Sequence, residues 1–167
     1  KDQFPVSTAA REAFNTGLLL LHSFEYDDGK DAFLAAQAAD KTEVMAYWGE
    51  AMCHYRALWG LQDVPAGQEV MAKLGASKEE RIAKTEEGIE REFWEGIEIL
   101  FGEGELNERN ENYTAHMNAL YDKYPKDLEV AAFYSLSLLW ADYNSEENLK
   151  RASDVAAGII KENPTHP

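Results

Sequence analysis

One spacing recurs three times along the chain and restricts what it can become. Phe33, Ala36 and Lys41 place two apolar positions three residues apart and an exit residue five further on; Met117, Leu120 and Pro125 repeat this, as do Ala156, Ile159 and Pro164. Four positions before each set stands a small residue or a tyrosine, namely Gly29, Tyr113 and Ala152. Positions i, i+4 and i+7 share one face of an α-helix, so each set marks the inner stripe of a helix that ends in a turn. Internal repeats of this kind bury their apolar faces only by stacking on one another. The expected fold is all-α, a right-handed stack of antiparallel helix pairs with seven to eight helices and no segment of strand period. The expected domain is a single one over 1–167, with repeat 1 at about 8–41, a degenerate pair at 43–75, repeat 3 at about 78–125 and repeat 4 at about 128–164.

Local signals punctuate this plan. After an extended lead-in over 1–6, Ser7 or Thr8 caps a first helix in which Phe14, Leu18, Leu21 and His22 share a face, and Gly17 lets a second helix approach closely. Asp27 or Asp28 caps that second helix, which runs through Ala39, and Thr42 caps a third over 43–59, stopped by Gly60. Pro65 opens a short helix at 66–74, ended by Gly75. Ser77 with Glu80 is a capping box for a helical stretch reaching Phe101, in which Gly88 is either a break or merely tolerated. Helices follow at 108–124 and 128–143, the latter apolar on most sides and therefore central; Ser145 caps the last helix, closed by Asn163-Pro164.

Composition narrows the function classes. At 45% hydrophobic and 11% aromatic residues the chain folds, and 167 residues suffice for one sizeable core. Lys plus Arg total 16 against 31 for Asp plus Glu, a net charge of −15, which disfavours nucleic acid and anionic membrane surfaces as partners. No apolar run is long enough to span a membrane. The single cysteine, Cys53, sits in an apolar stretch and reads as a small buried hydrophobe; no internal disulfide is possible.

The block HSFEY at 22–26, with AYWGEAM at 46–52 and Leu58-Trp59, is similar to a bacterial family of tetratricopeptide-repeat proteins with no established reaction. AAFYSLSLL at 131–139 and ENPTHP at 162–167 resemble the same family, so the similarity spans most of the chain. Lys41 stands where the family often has a proline, and Arg56 where it has histidine. The resemblance implies a tetratricopeptide-like α-solenoid. Because members of this kind often carry export signals, it also implies an exported or periplasmic setting. The family's chains usually continue beyond the NPxHP segment into a further helix.

Two readings of function follow, from different classes. The first is a non-enzymatic scaffold whose concave face, lined by the first helix of each pair, binds a protein or peptide partner of basic character. Tyr47, Glu50, His54 and Arg56 are its candidate contacts. The second is a metal- or small-ligand-binding protein, and so a candidate metalloenzyme. Glu50 and His54, four apart on one helical face, would join His22 and Glu25 to hold a divalent metal such as Zn²⁺ or Cu²⁺. No tight metal signature such as HExxH supports this set. His116 beside Met117 reads as a packed histidine, His166 as a turn residue, and Glu103, Glu105, Glu108 and Glu111 as a solvated acidic run. The aromatic set Tyr47, Trp48, Tyr55, Trp59, Phe93, Trp94, Tyr134 and Trp140 reads mainly as core, with some members available to line a groove.

Overall fold

The computed structural model of the chain describes residues 4–142 and 144–166, apart from the side chain of Ala57. Residues 1–3 of the expected lead-in, Tyr143 at the expected end of the central helix, and Pro167 of the ENPTHP block lie outside the described residues. The contacts gather into two compact units, residues 4–101 and Gly102–His166. The junction falls inside the third expected hairpin, 78–125. Within each unit, consecutive helices pack on one another in sequence order, as an all-α fold of helix pairs requires.

The first unit holds α1 (Arg11–His22), α2 (Tyr26–Ala39), α3 (Val44–Cys53), α4 (Val64–Leu74), α5 (Lys78–Ile82) and α6 (Ile89–Leu100). α1 lies on α2, α2 on α3, and α3 on both α4 and α6. The close approach expected at Gly17 exists and is shared. The Phe33 ring, fully buried, rests where a Cβ on Gly17 would come within 2.9 Å of it and a Cβ on Gly49 within 2.2 Å. One α2 side chain thereby sets the spacing of three helices. Ahead of α1, Phe4 is buried against Phe14 (ring centroids 5.7 Å apart), Trp48 (5.5 Å) and Phe93 (4.9 Å), so the N-terminal segment closes the core of this unit.

Several local expectations need correction. Helix 3 stops at Cys53 rather than at 59. Tyr55–Arg56 (β1) and Leu61–Gln62 (β2) instead form a short antiparallel ribbon around a 3-10 turn, Ala57–Trp59, with Gly60 at φ 64. Nine helices stand among the described residues, one beyond the upper end of the expectation, because the 78–101 stretch is interrupted after Ile82 and resumes as α6 behind Gly88, its N-cap residue. Its φ of 107 is one that a side chain would strain. Several caps also differ. Glu43, not Thr42, caps α3 by accepting from the Met45 N–H (3.2 Å), while Thr42 donates to Asp40 Oδ1. Neither Asp27 nor Asp28 caps α2, which begins at Tyr26 with Glu25 as its N-cap residue. Asp63 and Pro65 start α4, Ser77 caps α5, and Ser145 caps the last helix.

The second unit is a three-helix run, α7 (Leu106–Lys123), α8 (Leu128–Ala141) and α9 (Glu146–Glu162), with α8 packed on both neighbours. As the sequence indicates, α8 is central, burying Val130, Phe133, Tyr134 and Leu138. Its two buried serines are both bonded: Ser135 donates across to the Ala152 carbonyl on α9 (2.9 Å) and Ser137 to the Tyr134 carbonyl one turn back (2.7 Å). His166 returns to the start of α8, its Nε2 3.3 Å from Glu129 Oε1.

Candidate docking site

The residues expected to face a partner divide by burial. Tyr47 is 8% exposed and donates its hydroxyl to the Lys41 carbonyl at 3.0 Å. Glu50 is 5% exposed and its carboxylate is fully engaged. It accepts from Lys73 Nζ at 2.6 and 2.7 Å and from Gln37 Nε2 at 2.7 Å, joining α2, α3 and α4 from inside. Both therefore serve the core, where helix 3 is buried along its whole length. Only His54 and Arg56 of the four reach solvent.

The alternative metal set does not assemble. Glu25 is exposed at the start of α2 and His22 half-buried at the end of α1, while Glu50 is turned inward to Lys73. No three of His22, Glu25, Glu50 and His54, all described residues, bring ligand atoms within 4.8 Å of one another. The i, i+4 spacing of Glu50 and His54 fails because the helix ends between them, at Cys53. Cys53 is buried as expected, and burial pushes its thiol up to about 12, leaving it unreactive at neutral pH. His116 is half-buried on α7, and the four glutamates from Glu103 to Glu111 are exposed.

What the sequence did not reveal lies around the ribbon. Phe24, in the turn after α1, is held at φ 61, a left-handed conformation uncommon for a bulky residue. Its ring and that of Tyr26 both meet the Trp59 indole edge-on, each at 5.8 Å between centroids, with interplanar angles of 70° and 84°. Trp59 is nevertheless 57% exposed, and Leu58, Leu61 and Phe24 are 45%, 59% and 37% exposed. Arg56 places its guanidinium 5.2 Å from the Tyr26 centroid and donates from Nη2 to Asp27 Oδ1 at 2.6 Å. Beside this patch runs a groove of about 410 Å³ lined by His54, Arg56, Leu61, Gln62, Asp63 and Pro65. Gln62 anchors it by donating to the Leu100 carbonyl at 2.7 Å.

The electrostatics of the site are mixed. Burial, opposed by Glu50 and Asp63, holds His54 below its ordinary 6.5, so the imidazole is neutral at pH 7. Burial and the Cys53 thiol push the Tyr26 phenol up to about 12. The available signal for this patch was two turns, SFEYD and ALWGL, that carry aromatics beside a glycine or acidic residues. Helical spacing absorbed Trp59 into α3 and hid it. No family model matches the chain, nor does any curated protein or solved structure.

Proposed function

We propose that the chain is a non-enzymatic helical scaffold of the tetratricopeptide kind, which docks a protein or peptide partner through the apolar surface around its ribbon. The observation that carries this reading is the gathering of Phe24, Leu58, Trp59 and Leu61, each 37% exposed or more, at one end of the α1–α2 hairpin. Apart from half-buried Tyr26, the other aromatics of this unit, Trp48, Phe93 and Trp94 among them, are buried. Scattered exposed leucines are ordinary, whereas a contiguous patch built on a tryptophan is the anatomy of an interface anchor. The remaining polar groups support binding over chemistry, since Arg56 is paired with Asp27 and Glu50 with Lys73. No described helix is long and apolar enough to cross a membrane.

A photo-crosslinking amino acid at Leu58, in the native host, tests the reading against the same group at Leu149, an exposed leucine on α9. The expected result is a discrete crosslinked partner from position 58 only, lost when Trp59→Ala is introduced into a chain whose helical circular dichroism is unchanged. Identical products from both positions, or a product indifferent to Trp59→Ala, would remove the patch from the argument.

A further inference from the structure

Arg56 occupies a subsite with a recognisable chemistry. An aromatic face, Tyr26, lies under its guanidinium, and a carboxylate, Asp27, accepts its hydrogen bond. These are the two interactions by which proteins hold a cationic side chain. The occupant is loosely held: the Asp27 side chain is 80% exposed and that of Arg56 is 39% exposed, and ion pairs so open to water are weak. Arg56 also sits on a two-residue strand leading into the exposed 3-10 turn, so its side chain can leave without unpacking a helix. Asp63, whose Oδ1 caps α4, lines the adjoining groove together with Arg56. Glu25 and Asp28 flank Asp27 on the exposed start of α2, and the whole chain carries a charge of −15.

We infer that this subsite receives a lysine or arginine side chain of the partner, with Arg56 acting as the chain's own stand-in until the partner displaces it. The inference rests on the reading of the ribbon as a docking surface and adds the chemistry of what docks. The partner segment would be cationic with an apolar side chain beside the cation. The apolar group would cover Trp59 and Leu61 while the cation settles between Tyr26 and Asp27. Charge complementarity decides among occupants: a second copy of this acidic chain or an anionic membrane is repelled by the same carboxylates that attract a basic segment.

The test uses the full chain and three labelled heptapeptides that alternate leucine with lysine, glutamine or glutamate, followed by fluorescence anisotropy at two salt concentrations. The lysine peptide is expected to bind about tenfold tighter than the glutamine peptide, with an advantage that shrinks as salt rises. Asp27→Asn is expected to erase that advantage. Arg56→Leu is expected to strengthen lysine-peptide binding several-fold, because the stand-in is gone, and leave the glutamine peptide unchanged. Equal binding of the lysine and glutamine peptides, both lost in Trp59→Ala, would overturn the cation subsite and leave the docking surface intact. Weaker lysine-peptide binding in Arg56→Leu would overturn the stand-in role. Binding of none of the three would bring down the docking reading as well. Binding to zwitterionic, net-neutral phosphatidylcholine vesicles that depends on Trp59, without peptide binding, would reassign the patch to a lipid surface.

Discussion

Replacing Gly49 by alanine probes the packing of the first unit most sharply, because two opposed effects can be weighed in advance. In the interior of α3 the change favours the helix by about 1 kcal/mol, since alanine loses less backbone freedom on folding. Against this, the new methyl group would stand 2.2 to 2.4 Å from three atoms of the Phe33 ring, where carbon atoms ordinarily meet at about 3.5–4 Å. The ring has little room to retreat, since the same three atoms would lie 2.9 to 3.0 Å from a Cβ on Gly17. Overpacking in such places costs about 1–3 kcal/mol, and a clash this deep belongs at or beyond the upper end. A net loss of about 2 kcal/mol is expected, equivalent to a fall of roughly 8–16 °C in Tm for a unit of this size. Gly17→Ala, with its shallower overlap, should change stability by less than about 1 kcal/mol. Gly158→Ala, in α9 with nothing within 4 Å of the new methyl, should gain up to about 1 kcal/mol. Urea unfolding followed by tryptophan fluorescence reads the first unit preferentially, because Trp48, Trp59 and Trp94 lie in it and only Trp140 in the second. Phe33→Leu should partly rescue Gly49→Ala, with a coupling above about 1 kcal/mol in the double-mutant cycle. A Gly49→Ala chain as stable as the parent, or strict additivity with Phe33→Leu, would refute the idea that one ring sets three helices apart.

Three further outcomes are expected. Lys73→Met strands the buried Glu50 carboxylate with Gln37 as its remaining side-chain donor and should cost about 3 kcal/mol. Adding Glu50→Gln should recover most of that loss in chemical denaturation, because removing both charges is cheaper than removing one. The Tyr113 hydroxyl is buried without a hydrogen-bond partner among the described residues, so Tyr113→Phe should stabilise the second unit by about 1 kcal/mol; a comparable loss would show that the hydroxyl is bonded. Burial, with lesser repulsion from Glu43 and Glu86, raises the Glu90 carboxyl above its ordinary 4.5, partly offset by the Glu86 N–H and Arg91. Its native form thus takes up a proton more readily than the unfolded chain, and its contribution to stability grows as pH falls through that window. Glu90→Gln should therefore match or exceed the parent in thermal melts at pH 7 and lose that margin near pH 4.5, whereas a drop at pH 7 would contradict this.

The helical plan was largely legible because it is written in short-range patterns. Phe33 with Ala36, the caps at Ser77 and Ser145, and the apolar girth of α8 all act within one or two turns of their own helix. The candidate site was not legible in the same way. Tyr47, Ala51, Tyr55 and Trp59 keep a perfect four-residue spacing, yet the helix ends at Cys53 and the chain reverses around Gly60. Tyr55 stays buried on its strand while Trp59 is left in solvent, an outcome periodicity cannot distinguish from a continuing helix. Glu50 misled for a related reason. Its partner Lys73 is 23 residues away on another helix, so a carboxylate that reads as surface in one dimension is neutralised inside in three. The arginine resting on Tyr26 likewise joins residues from the two sides of α2 and α3, and nothing local in the sequence announces that meeting.

The burial of Phe4 against Phe93 sets an order of events during synthesis. Phe4, made before α6, depends on a ring contributed 89 positions later (93 − 4) for part of its burial. Until α6 has emerged, Phe14 and Trp48 face a core that lacks one wall, and the N-terminal segment has only part of its resting place. Contacts that span so much chain form late and slow the final closure. The nascent first unit is thus open at this seam for as long as translation of the intervening residues lasts, and the burial of Phe4 is complete only once Phe93 has arrived.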